Sequence, residues 1–121
     1  LKRFVVALIA SVIVTLGAAT QGTAYSVNVR HARAYARAHV NRGQWPCLHK
    51  LWDNESGWAV HARTGRAYGI PQAYPGKRMR SAGADWRTSG RTQVKWGLNY
   101  IRGRYGTPCH ALTFQDRNGY Y

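Results

Sequence analysis

Pro46-Cys47-Leu48-His49-Lys50-Leu51-Trp52-Asp53-Asn54-Glu55-Ser56-Gly57-Trp58 is the stretch on which the reading of this chain turns. Pro46 suits the first turn of a helix, Leu48, Leu51, Trp52 and Glu55 recur at helical spacing, and Gly57 is a stop. The pattern predicts a short amphipathic helix with the only glutamate of the chain on its last turn. A helix C-terminus is electronegative, and neighbouring Trp52 and Trp58 would exclude water. Both influences disfavour ionisation of a carboxyl, so Glu55 is expected to titrate above an ordinary glutamate. Asp53 falls about 200° around the same helix and faces away.

Upstream, Ser26 to Asn41 is rich in Ala and Arg, with Val29, Ala32, Ala36 and Val40 at helical spacing. This predicts a helix whose exposed face carries Arg30, Arg33 and Arg37, a solvated face with the capacity to touch an anionic polymer. Downstream, Trp58 to Asp85 is broken by glycines and prolines. It reads as loops, with a hairpin within Val60 to Ile70 and a short helix near Lys77 to Ala82. Thr88 or Ser89 caps a third helix with the stripe Val94, Leu98, Ile101 and Tyr105, which Gly106 and Pro108 end. The fold class is mainly α, a single small helical domain with a hairpin or loop region at its side.

The 121 residues include 18 Lys and Arg against four acidic residues, a formal net charge of +14. Such a balance selects a polyanion or an anionic surface as partner, and charge alone does not choose among nucleic acid, lipid and bacterial wall. Lys2 and Arg3 precede an apolar run from Phe4 to about Ala19, followed by small residues, which is the order of an export signal with cleavage after Ala24. The run is too short and too interrupted for a permanent membrane anchor. The division expected is therefore a leader at 1–24 and a domain at 25–121, secreted or wall-associated. In an oxidising compartment the only cysteines, Cys47 and Cys109, are expected to pair, the alternative being two buried thiols. The five histidines form no metal-ligand spacing, so no metal or cofactor is expected.

The order Leu51-Trp52-Asp53-Asn54-Glu55-Ser56-Gly57-Trp58, Ala67-Tyr68-Gly69-Ile70-Pro71-Gln72, Tyr74-Pro75-Gly76, Ser81-Ala82-Gly83-Ala84-Asp85-Trp86, Gln93-Val94-Lys95-Trp96-Gly97-Leu98-Asn99-Tyr100-Ile101 and Arg104-Tyr105-Gly106-Thr107-Pro108-Cys109 covers nearly all of the chain beyond the leader. It resembles the transglycosylase-like domains of the lysozyme superfamily found in actinobacterial secreted proteins. The resemblance implies a lysozyme-like α+β fold, a saccharide cleft and a glutamate, here Glu55, acting as acid and then base on peptidoglycan between N-acetylmuramic acid and N-acetylglucosamine. It implies no second carboxylate, because the sugar's own N-acetyl and C6-hydroxyl groups replace an enzyme nucleophile and water. One departure is Arg66, where relatives carry a glycine.

Around Glu55, Gly69 and Gln72 are expected in the cleft loop, Gln72 because its amide both donates to and accepts from an acetamido group. Trp58 and Tyr68 are the aromatic residues expected to stack on sugar rings. Tyr100 shares a face with Trp96 and is open to bonding Glu55 or to packing in the core. Ser56 either orients the Glu55 carboxyl or satisfies local backbone. The expected partners are peptidoglycan strands and anionic wall polymers, with no specific nucleic acid and no membrane insertion after the leader is removed, and the chain acting as a monomer. Two other functions fit the same residues: a non-catalytic peptidoglycan-binding or signalling module of this fold, and a cationic nucleic-acid or membrane-active protein.

Overall fold

In a computed structural model the described residues are 16–121, and they form a mainly helical structure. Helix α1 spans Leu16–Ala38, α2 Trp45–Ser56, α3 Gly90–Arg104 and α4 Pro108–Asn118. Between α2 and α3 lie strands β1 (Arg63–Thr64) and β2 (Ala67–Tyr68) and a 3-10 helix at Gly76–Ser81. Most of the segment expected to be a leader, residues 1–15 of 1–24, lies outside the described residues. From Leu16 the chain is already helical, and α1 runs unbroken through Ala24, so it begins well before the Ser26 start read from periodicity. None of the helices among the described residues is long and apolar enough to cross a membrane.

Two helix pairs make the body, α1 against α3 and α2 against α4. The predicted stripes are the faces that meet: Ala32 and Ala36 of α1, Leu48, Leu51 and Trp52 of α2, and Val94, Leu98 and Ile101 of α3 are buried together with Trp58, Val60 and Ile70 from the loops. Arg30 and Arg37 are exposed as expected. Arg33 is not: it is half-buried, with its guanidinium over the Trp58 ring. One turn of helix carries it round to the flank of the core.

The fourth helix was not expected. Its N-cap is Thr107, whose hydroxyl accepts from the His110 N–H; Pro108 takes the first turn and Gly119 closes it in the left-handed conformation. Pro108 therefore both ends the preceding segment and starts a new one. Cys47 and Cys109 form a disulfide, with Cα atoms 4.9 Å apart, tying the first turn of α2 to the first turn of α4.

Gln93 joins the loop region to α3. Its side chain is fully buried; Oε1 accepts from the Ile70 N–H at 2.9 Å, and Nε2 donates to the carbonyls of Val60 and Trp86, both at 2.9 Å. These backbone groups belong to a segment with almost no sheet of its own, and burial without partners would cost each about 1–3 kcal/mol. Gly69 lies against the same amide: a Cβ there would sit 2.5 Å from Gln93 Oε1.

Two stability changes follow. Gln93→Leu keeps the volume but orphans three backbone groups, and urea unfolding is expected to show a loss of about 3 kcal/mol or more. Removing the disulfide with paired Cys47→Ser and Cys109→Ser substitutions opens a loop of 62 residues. That loss is expected at about 4 kcal/mol in the same assay.

Candidate active site

Glu55 is the penultimate residue of α2. Gly57 caps the helix in the left-handed conformation and its N–H returns to the Asp53 carbonyl, while the Trp58 N–H reaches Trp52 O at 3.4 Å. Trp58 itself has φ +63, an unfavourable conformation for a bulky residue. Complete burial of its ring, with the indole N–H donating to His49 O at 3.2 Å, offsets that strain. The tight reversal sends the chain back into the core immediately after α2 and leaves Glu55 half-buried at the edge of a cleft of about 620 Å³.

The Glu55 carboxyl is held from α4. Gln115 Nε2 donates to Glu55 Oε1, and Gln115 Oε1 accepts from Asn54 Nδ2 at 2.8 Å. The amide is thus gripped from both ends, with its N–H side turned to the carboxyl. Burial raises the Glu55 pKa, and the Gln115 bond acts in the opposite direction. Among the described residues Glu55 is the only acidic side chain lining the cleft. Asp53 and Asp116 are exposed, and Asp85 accepts from the Thr92 hydroxyl at 2.7 Å.

Aromatic rings build the walls. Trp96 and Tyr100 stack with centroids 5.2 Å apart and planes within 11°, and Arg78 lies over both. Tyr74 and Tyr120 line the cleft and are exposed. Tyr121 packs its ring against Tyr100 and Tyr105, and its hydroxyl accepts from the Trp52 indole N–H at 2.8 Å and donates to Pro71 O at 2.9 Å. Burial drives its phenol well above the usual tyrosine range, so it stays protonated. Arg104 is the second cation of the cleft.

The residues expected at the site divide accordingly. Glu55, Gln72 and Tyr100 line one cleft. Tyr100 stacks on Trp96, and no hydrogen bond joins it to Glu55. Gln72 uses its amide nitrogen on the carbonyls of Ala62 and Gly69 at 3.1 and 2.9 Å, fixing a loop residue with φ +52, and its amide oxygen makes no such bond. Ser56 donates to Ile70 O at 2.7 Å; it latches α2 to the loop and does not orient the carboxyl. Trp58 has no exposed face and cannot stack on a ligand, because the core claims its ring. Gly69 is buried and makes room for Gln93, not for substrate. Tyr68 lies on the far side of the hairpin from the cleft.

Gln115 and Tyr121 were missed by residue reasoning, since both depend on α4 and its following turn. The signal was there in Thr107-Pro108 and Gly119, which bracket a helix that carries Gln115 on the α2 side. Among the described residues no three His, Cys, Asp or Glu side chains gather as a metal-ligand group. Compared with family models, with curated proteins and with solved structures, the chain matches none.

Gln115→Leu removes a donor that favours the carboxylate while keeping the side chain's bulk. The Glu55 titration midpoint, followed by carboxyl-carbon NMR, is expected to move further up in this variant. A downward move would show that the amide does not stabilise the charged form.

Proposed function

We propose that this protein is a secreted, lysozyme-like enzyme that cleaves the glycan strands of peptidoglycan, with Glu55 as its single acid. The observation that carries the reading is a lone half-buried carboxyl with a raised pKa, lodged in an aromatic-walled cleft that no second acidic side chain among the described residues lines. A retaining hydrolase with a protein nucleophile needs a partner carboxyl about 5 Å away. That arrangement has no candidate residue in this cleft, which favours participation by the sugar.

Glu55 gives its proton to the bridging glycosidic oxygen as the C1–O bond of the muramic acid breaks. Positive charge developing at C1 meets the new carboxylate. The carboxylate then takes the proton of the C6 hydroxyl as that oxygen attacks C1, which closes an anhydro ring and restores the acid. Gln115 holds the carboxyl in place through both steps, and the Gln72 oxygen is free to accept from an acetamido N–H. The disulfide and the absence, among the described residues, of a helix able to cross a membrane are compatible with export.

Digestion of purified peptidoglycan, with the products read by mass spectrometry, tests the proposal. Fragments ending in anhydro-muramic acid are expected from the parent protein, and none from Glu55→Gln. Reducing ends would mark a hydrolase; binding without release would mark a non-catalytic module. With raised pKa, the parent rate should hold to higher pH than an exposed glutamate would permit, then fall as pH passes the midpoint and the acid loses its proton.

A further inference from the structure

The hairpin has two faces, and only one belongs to the Glu55 cleft. Its cross-strand pairs are Arg63 with Tyr68 and Thr64 with Ala67. Successive pairs on a two-stranded ladder point to opposite sides. Thr64 and Ala67 accordingly line the Glu55 cleft, while Arg63 and Tyr68 line a separate recess of about 390 Å³ together with Arg66, Lys77 and Trp86.

This recess is built by close backbone approach. Gly76 packs against β2 so tightly that a Cβ would lie 2.5 Å from Tyr68 Cβ, and its N–H donates to the Arg66 carbonyl at 3.1 Å. Lys77 is thereby set beside the hairpin turn. The Tyr68 hydroxyl donates to the Arg87 carbonyl at 2.8 Å, which fixes the opposite rim. Arg63, Arg66, Lys77 and Arg87 are all exposed, and among the described residues no carboxylate lines the recess. Asp85, next to Trp86 in the chain, has its Oδ1 engaged by Thr92.

The cations are also prepositioned. Arg63 lies over Tyr68 at 5.6 Å, Arg87 over Trp86 at 4.3 Å and Arg66 over Tyr74, a residue of the neighbouring cleft, at 5.3 Å. Guanidinium groups held in this way present forked N–H donors suited to oxyanions, and an ammonium adds a compact charge. The same contacts cover one face of each ring, and Trp86 is nearly buried, so the recess itself offers little aromatic surface for stacked bases. We propose that this recess binds a flexible phosphodiester polymer that carries no bases, such as a polyol-phosphate chain, alongside whatever occupies the Glu55 cleft. Arg66 stands at the junction of the two concavities.

The test is binding of a synthetic glycerol-phosphate oligomer as a function of salt, measured on the full chain with the Glu55→Gln substitution so that the outcome is independent of glycan cleavage. Adding Arg63→Gln, Arg66→Gln and Lys77→Gln is expected to weaken binding roughly tenfold and to lower the log–log salt slope by about 2. Arg30→Gln, Arg37→Gln and Arg42→Gln, which remove the same charge elsewhere, are expected to change affinity far less. Equal losses in the two triple variants would overturn the site, and tighter binding of single-stranded DNA or polyglutamate of matched charge would overturn the ligand class. A single Lys77→Glu reversal, at an exposed position, gives the same readout if the triple variant fails to fold.

Discussion

One buried amide determines whether this molecule has a cleft at all. The helices pack in two pairs around a core that Trp58, Val60 and Ile70 of the loops complete, but the wall opposite Glu55 is made of irregular chain, whose backbone needs partners that two strands of two residues cannot supply. Gln93 provides them from inside α3, bonding Val60, Ile70 and Trp86 at once. Ser56 and Tyr121 add their own bonds to Ile70 and Pro71. The loop is therefore anchored by side chains from α2, α3 and the C-terminal turn, and a leucine of the same size at 93 would pack well yet hold nothing.

The choice of partner for Glu55 matters as much as its burial. In a chain so rich in arginine, the simplest neighbour for a carboxyl is a guanidinium, and such a pair would pull its pKa down by one unit or more. Here the bonded neighbour is a neutral amide, which orients the carboxyl at a smaller electrostatic cost to its protonated form. The two arginines lining the cleft are directed at rings: Arg78 over Trp96 and Tyr100, and Arg104 over Tyr105. Aromatic faces keep cations in the cleft without binding them to the acid.

Periodicity made α2, α3 and the core of α1 legible because their buried faces repeat with regular apolar residues. The hairpin and the short 3-10 helix were legible from glycine and proline punctuation. Helix α4 was hidden because its core contribution is slight, Ala111 and half-buried Leu112 among polar residues, so it shows little apolar stripe. With it were hidden Gln115 and the placement of Tyr121. Glu55 was legible from its helix end, but Trp58 was misread: an aromatic beside a candidate acid looks like a wall of the cleft, whereas the left-handed turn at Gly57 and Trp58 swings the indole inward. Tyr68 was misread for a different reason, since a shift of one position along a strand exchanges the two faces of the hairpin.

The guanidinium of Arg78 already occupies the face of the Trp96–Tyr100 stack that a planar ligand would seek. Any ring settling there competes with a tethered cation and must displace it, at a cost of about 0.5–1 kcal/mol for a contact near solvent. Short ligands, which recover little elsewhere, bear that exchange almost entirely, whereas a long chain spreads it over many other contacts. Were the cleft to hold glycan strands as proposed, this platform would favour long chains over short ones before it distinguished their chemistry.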